Sequence, residues 1–402
     1  SGGLVGSEMC IRDRFEITPQ NGGENVDIVP VGTTYTWDTP VSTPLGAITG
    51  GISGNNELNI SGTLTNNTNS PAFVSYIVSA VTPEGCDDEF EIIVEVNPNG
   101  QVNQVENQVV CNGSPILIPF ITDNIPAEGT GPGSGGQTRF DWEIINGVNI
   151  GSGLVGIGDL DFVAVNNTNS IIFAEFQVTP TFVNNGECTG DSITFTITVN
   201  PTGQVDDPQD QVLCNNDTTL PVTFTTDNTG GVTTYAWTND TPGIGLAASG
   251  DGDIDAFVAV NTGTSPVTAT ITVVPTFTNQ DVSCIGPSET FTITVNPTGQ
   301  VDDPQDQVLC NNDDAIVEFT TDNTGGTTVY GWSSDLDIGF GTAGQGNINS
   351  TAVNTGTSPI TATITVTPSF EGCIGPSETF TITVNPTGQV DDPQDQVLCN
   401  ND

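Results

Sequence analysis

The chain has 402 residues, 49 acidic side chains against three basic ones, no histidine and a formal net charge of -46. Arg12, Arg14 and Arg139 are its only cations, which excludes nucleic acid and anionic membrane surfaces as partners, since both are bound through clustered Lys and Arg. The absence of histidine and lysine removes the Ser-His-Asp, Cys-His, Ser-Lys and Schiff-base routes to catalysis, and no apolar run reaches the length of a membrane span.

Apolar residues make up 35% of the chain and charged ones only 13%, so it can still bury cores, unlike a disordered acidic tail. The opening segment 1–14, SGGLVGSEMCIRDR, holds two of the three arginines and the only methionine. It resembles translated sequencing-adapter read-through and is expected to stand outside the native fold. Repeats organise the rest: 15–98, 99–201, 202–297 and 298–386, with 387–402 opening a fifth. The stretch VNPTGQVDDPQDQVLCNND occurs three times letter for letter, from Val199, Val295 and Val384, and a variant, VNPNGQVNQVENQVVCNGS, begins at Val96. Verbatim identity points to recent duplication, and the native protein is expected to continue past Asp402.

Within each repeat the elements follow one order. A Gly/Asn/Thr-rich region leads to an aromatic pair two residues apart: Tyr35 and Trp37, Phe140 and Trp142, Tyr235 and Trp237, Tyr330 and Trp332. The Gly129–Gln137 stretch before the second pair reads as an exposed hairpin loop. Next come NNTNSPAFVSYIVSAVTP and its counterparts, then a cysteine, then a run such as ETFTITVNP. Period-two alternation, as in Thr290-Phe291-Thr292-Ile293-Thr294-Val295, together with β-branched residues and Gly/Asn/Pro punctuation, predicts half-buried strands. Short strands in units of about 100 residues predict an all-β chain of tandem immunoglobulin-like antiparallel β-sandwiches in an elongated array. Trp37, Trp142, Trp237 and Trp332 are the expected core aromatics, either as the core Trp of an immunoglobulin-like domain or as filling of a generic sandwich.

Three repeats carry one early and one late cysteine: Cys111 and Cys188, Cys214 and Cys284, Cys310 and Cys373. These spacings exclude compact zinc sites, and a disulfide inside each repeat, formed in an oxidising compartment, is the expectation. Cys86 is left with Cys10 as its partner, and Cys399 opens the fifth repeat.

Units built as VCN, an aromatic-x-Trp pair, NTGTSPVTATITVVPTF, a cysteine and ETFTITVNPTGQV resemble the PKD-like, immunoglobulin-like repeats of large Bacteroidetes cell-surface proteins, including gliding-motility-associated adhesins. The resemblance covers essentially everything after Arg14. It implies an exported protein, sent through the type IX pathway. Asp191-Ser192-Ile193 and Asp217-Thr218-Thr219 fit the short O-glycosylation signature of such bacteria, which makes Ser192 and Thr218 candidate glycan sites.

Carboxylate pairs alone can hydrolyse glycosides, but the acids here sit in recurring turns and linkers, so the chain is read as a non-enzyme. Calcium is the sharper chemistry, because it takes six to eight oxygen ligands. Asp206, Asp207 and Asp210 cluster at one joint and Asp302, Asp303 and Asp306 at the next, while the first joint carries Asn103, Gln104 and Glu106 instead. Asp251, Asp253 and Asp255 of DGDID form a second candidate, set against GQGNIN in the following repeat. Ordinary turn chemistry explains the same residues. No cofactor is required, with calcium the only candidate.

The sequence therefore predicts an extracellular rod or filament, on or released from a bacterial surface. Strands of about ten residues give domains of roughly 30 to 40 Å each, so the chain would reach on the order of 150 Å. Its partner is itself. One alternative is a modular adhesin gripping glycans or surfaces, and another is a fibre subunit that polymerises by strand exchange.

Overall fold

A computed structural model of the chain describes residues 4–5, 10, 13–20, 29–126, 136–184 and 186–397. Cys399, and the expected hairpin loop of repeat 2 up to residue 135, lie outside the described residues. Apart from one short 3-10 turn at Pro242–Ile244, the regular structure among the described residues is all strand. The chain divides into two compact units, one of residues 1–202, 228–232 and 277–284, the other of 203–227, 233–276 and 285–402.

Repeat 2 shows the plan. Gln108–Cys111 lies parallel against Ile193–Asn200, which pairs antiparallel with Ile172–Val183. That long strand pairs on its other side with Gln137–Gly147, and Val155–Ile157 closes the edge. Pro115–Ile118 and Leu160–Val163 form the second, smaller sheet. Ile116, Ile118 and Leu160 share one core with Phe176, Phe195, Ile197 and Val199 of the larger sheet. Repeat 4 reproduces the plan with Gln307–Cys310, Glu378–Asn385, Ile360–Phe370, Thr328–Ser334 and Ala343–Gln345, backed by Asp314–Val317 and Ile348–Thr351. Repeat 3 keeps the larger sheet and reduces the second to the bridges Thr218 to Val258 and Val222 to Ile254. In repeat 1 the larger sheet is Leu4–Val5, Asp87–Val96, Ala72–Val81, Thr34–Trp37 and Gly54–Glu57.

The sequence periodicity explains each sheet's two faces. Along Glu289–Asn296, Phe291, Ile293 and Val295 point into the core, while the threonines between them face outward. Outward threonines pair across strands, Thr268 with Thr294 and Thr361 with Thr383, each at 2.9 Å, a cross-strand contact typical of exposed sheet faces.

The four tryptophans lie in the four cores. Each faces a glycine: Trp142 is cross-strand from Gly156, Trp237 from Gly250 and Trp332 from Gly344, and Trp37 packs on Gly54. A Cβ at any of these glycines would come within 2.2 to 2.3 Å of an indole carbon, so the small residue is what admits the large one. Trp37 donates its indole N–H to the Ile52 carbonyl at 2.9 Å.

The described residues of the opening segment, 4–5, 10 and 13–14, expected to stand apart, take positions in repeat 1 that later residues take in theirs. Leu4–Val5 lies parallel on Ile92 and Ile93, as Gln108–Cys111 lies on Ile197 to Asn200. Asp13–Ile17 pairs with Ile60–Asn66, and Cys10 is disulfide-bonded.

Candidate functional site at the joints between repeats

The two cysteine positions of a repeat sit at opposite poles of its sandwich. The early one ends the first strand, level with the end of the last: Cys111 pairs with Asn200, Cys214 with Asn296 and Cys310 with Asn385. The late one lies at the far end of the central hairpin, Cys188 opposite Phe182 and Cys373 opposite Phe370. In repeat 2 the hairpin starts at Ile172, opposite Val199, so the early and late cysteines are separated by about ten strand residues, roughly 33 Å. A disulfide needs Cα atoms within about 7 Å.

The expected bonds inside each repeat are therefore corrected. Cys10 pairs with Cys188, Cys111 with Cys284 and Cys214 with Cys373, with Cα separations of 5.2, 5.4 and 5.4 Å. Each bond takes the early cysteine of one repeat and the late cysteine of the next. Cys86 and Cys310, expected in the pairs with Cys10 and Cys373, are unpaired and exposed. Where the chain leaves one sandwich it enters the hairpin pole of the following one, and the early cysteine stands beside that exit. The loops closed span 159 to 178 residues, and closing one is worth about 5 kcal/mol in the chain-entropy account.

Asparagines fix the rest of each joint, and reading their stretches as turns missed this. Asn66, Asn166, Asn261 and Asn354 open the NNTNS and NTGTS loops, and each donates its side-chain amide to the last strand: to the carbonyls of Val96, Val199, Val295 and Val384, at 2.7, 2.8, 2.7 and 2.7 Å. The same amides bond Ser70, Ser170, Ser265 and Ser358. A second set holds the connector. Asn124 and Asn323 accept from the Gln101 and Gln300 amides at 2.7 Å, and Asn228 donates to the Thr202 carbonyl. The loops also meet across the joint: Ile125 N–H donates to the Asn69 carbonyl, Thr229 to Asn169 and Thr324 to Thr264, at 2.8, 2.8 and 2.9 Å. The recurrence of Asn at one position in all four repeats was the available signal.

Connector glycines complete the fit. Gly100 and Gly299 donate to the carbonyls of Cys188 and Cys373. Gly190, Gly286 and Gly375 stand so close to the backbone of Gly100, Gly203 and Gly299 that a Cβ would overlap a carbonyl oxygen. The connector thus runs flush against the hairpin bearing the late cysteine.

The acidic clusters are not gathered around a common point, and no group of three metal-ligating side chains forms among the described residues. Their carboxylates are hydrogen-bond acceptors for separate segments of the chain. Asp206 accepts from the Thr225 hydroxyl and Asp302 from that of Thr320. Asp210 accepts from the Thr292 amide and Asp306 from that of Thr381, both at 2.6 Å. Asp207 and Asp303 are exposed. In the first joint Asn107, not Glu106, stands in the place of Asp210 and accepts from Thr196 N–H at 2.8 Å. An amide oxygen therefore does the carboxylate's work. DGDID follows the same rule: Asp253 accepts from Phe224 N–H and Asn347 of GQGNIN from Phe319 N–H, both at 2.9 Å, while Asp251 and Asp255 are exposed.

The bond from Thr381 holds the Asp306 carboxyl below its ordinary value of 3.8. A depressed folded-state pKa stabilises the fold above the unfolded value, and that stabilisation is lost as pH falls through the folded one. Melting temperature is therefore expected to fall as pH drops below 3.8, and less steeply in Asp306→Asn, which keeps the acceptor and removes the titration. Equal slopes would assign acid sensitivity elsewhere.

Arg139 bridges Glu187 and Asp141, at 2.8 and 2.9 Å. The guanidinium holds the Glu187 carboxyl below the usual range, fixing the residue next to Cys188. The two candidate glycan positions are exposed: Ser192 shares a 2.8 Å hydrogen bond with Thr179, and Thr218 forms an edge bridge.

Residues 7–100 match the family model of a PKD-like domain. No curated protein matches the chain. Among solved structures, Drosophila N-cadherin EC1-4 is 11% identical over 96% of this chain and 99% of that one, with a TM-score of 0.32. Sidekick-1 immunoglobulin domains 1-4 are 10% identical over 96% and 98%, with a TM-score of 0.29. Mouse cadherin-23 EC22-24 is 12% identical over 72% and 98%, with a TM-score of 0.32.

Proposed function

We propose that the chain is an extracellular structural protein, a rod or filament of tandem immunoglobulin-like repeats on or released from a bacterial surface. The observation that carries this is the placement of the disulfides: each joins one repeat to the next. A bond inside a domain protects that domain, whereas a bond across a joint restrains the orientation of two domains and keeps them together when either unfolds. Disulfides persist in oxidising, extracellular compartments, and sandwiches of this architecture are common in cell-surface proteins. With three basic side chains, the chain offers few sites to trypsin-like proteases, and its negative charge keeps neighbouring rods apart.

In this reading calcium is dispensable, since Asn107 replaces Asp210 at an equivalent joint. Electron microscopy of the oxidised chain is expected to show rods of uniform length, unchanged by chelator, together with a blank glycan array. Saturable glycan binding would replace the structural role with that of an adhesin. Rods that fold up on chelation would restore calcium to the joints.

A further inference from the structure

Asp-Pro occurs three times in the chain, at 207–208, 303–304 and 392–393, and the first two pairs lie in the connectors of the second and third joints. Both connectors are irregular chain, with Asp207 and Asp303 exposed and Pro208 and Pro304 half-buried. The acids on either side are engaged: Asp206 and Asp302 accept from threonine hydroxyls, Asp210 and Asp306 from strand amides. The carboxylates of Asp207 and Asp303 accept no hydrogen bond among the described residues. No cation follows Arg139 in the chain, and Arg139 is itself paired with Asp141 and Glu187. The other titratable groups facing these connectors are Tyr235, in the field of Asp206 and Asp253, and Tyr330, in that of Asp302.

The fold does not require the pair. In the first joint Gln104 and Val105 stand in its place, again exposed and half-buried, and Val105 packs against the core of repeat 2. What Asp-Pro adds is reactivity. A proline nitrogen carries no hydrogen, so the aspartate side chain cannot close on it to an imide, and attack on the residue's own carbonyl carbon is the route left open. Each of the two bonds also lies inside one staple: 207–208 between Cys111 and Cys284, 303–304 between Cys214 and Cys373.

We propose that Asp207–Pro208 and Asp303–Pro304 are self-cleaving bonds, cut in mild acid by the aspartate's own carboxyl, and that the staples hold the cut chain together until a thiol reduces them. The carboxyl proton passes to the proline nitrogen as a carboxyl oxygen attacks the backbone carbonyl carbon. The C–N bond breaks, the proline leaves as a secondary amine, and the aspartate is left as a cyclic anhydride that one water molecule opens to two carboxyls. Each cut consumes one water and no other reagent. Release is a separate step, in which two small thiols reduce a staple by two electrons and leave as their own disulfide. Cut and oxidised, the repeats stay in series; cut and reduced, no covalent link remains between repeats 2 and 3 or between repeats 3 and 4.

The test uses the full chain with its free thiols capped, brought to the mildest acidity that cuts the free peptide QVDDPQDQ, where thiolates are too scarce to reshuffle the staples. Reducing electrophoresis and mass spectrometry are expected to show new ends at Asp207, Pro208, Asp303 and Pro304, appearing no more slowly than the cut in the peptide, while non-reducing denaturing electrophoresis shows an undivided chain. Asp207→Gln with Pro208→Val, the pair that the first joint already accommodates, is expected to abolish the first cut and leave the second. Gln104→Asp with Val105→Pro is expected to add a cut at the first joint, spanned by Cys10 and Cys188. A chain left whole after the peptide is consumed would overturn the proposal, as would a cut that persists in the Gln-Val variant. Pieces that part before reduction would overturn it too, because bonds closed inside each repeat leave both cuts unspanned.

Discussion

Pulled from residue 1 to residue 402 to full extension, the oxidised chain is expected to reach only about 220 Å end to end, against about 1,400 Å after reduction and complete unfolding, at about 3.5 Å per residue. The shortest covalent path runs from the first residue to Cys10, across to Cys188, on to Cys214, across to Cys373 and then to the end, about 64 residues in all. Bonds closed inside each repeat, including Cys10 with Cys86, would leave about 115 residues and ~400 Å, so single-molecule force spectroscopy separates the two connectivities. The overlap of the loops gives an internal control. Cys214→Ser with Cys373→Ser forces the path back through Cys111 and Cys284, raising it to about 204 residues, or ~710 Å. Cys111→Ser with Cys284→Ser leaves the oxidised length unchanged, because that bond lies off the shortest path. An oxidised length near 400 Å, or a shift in the second pair of variants, would refute the connectivity.

Loss of the loop-opening asparagine is the second large effect. Asn261, 5% exposed, donates to Val295 and Ser265 carbonyls at 2.7 and 2.9 Å and accepts from Gly263 N–H at 3.0 Å. Asn261→Ala strands these groups and is expected to cost about 2 to 4 kcal/mol, the sum expected for several orphaned buried partners. Asn261→Asp points a carboxylate at two carbonyl oxygens, which repel it and raise its folded-state pKa. The penalty is therefore largest above the folded-state value, relaxes as pH falls through it and is gone below the unfolded one. Thermal melting, with hydrogen exchange over 261–268, is expected to show the Asp variant recovering toward pH 4 while the Ala variant does not. If both tolerate the change within about 0.5 kcal/mol, the range of an ordinary surface substitution, the clamp has no role in stability.

The strands and repeats were legible in the sequence because alternation reports burial directly: Phe291, Ile293 and Val295 announce their face. The four tryptophans announce the cores for a similar reason, one large ring per repeat. Cysteine pairing was not legible from spacing, because spacing does not say at which pole of a sandwich a residue lies. Cys111 and Cys188 look like partners along the chain and are kept apart by the full length of a strand. The acidic joints misled for a different reason. Asp and Asn are interchangeable as acceptors for a backbone amide, so a cluster of charge in the sequence records turn-anchoring positions such as Asp210 and Asn107. The loop asparagines were hidden in stretches whose composition signals a turn, and their partners, Val199 and Val295, are remote in sequence.

The first and last strands of repeats 2, 3 and 4 lie side by side and run parallel. In the reduced chain, tension entering through one and leaving through the other slides them along each other instead of peeling them apart. Hydrogen bonds loaded by sliding share the strain and must break together, whereas peeled bonds break one at a time. Each sandwich is thereby built to fail late and all at once when its staples are open, whereas in the oxidised chain the staples carry the load past most of the sandwiches and leave only 1–10, 188–214 and 373–402 on the covalent path.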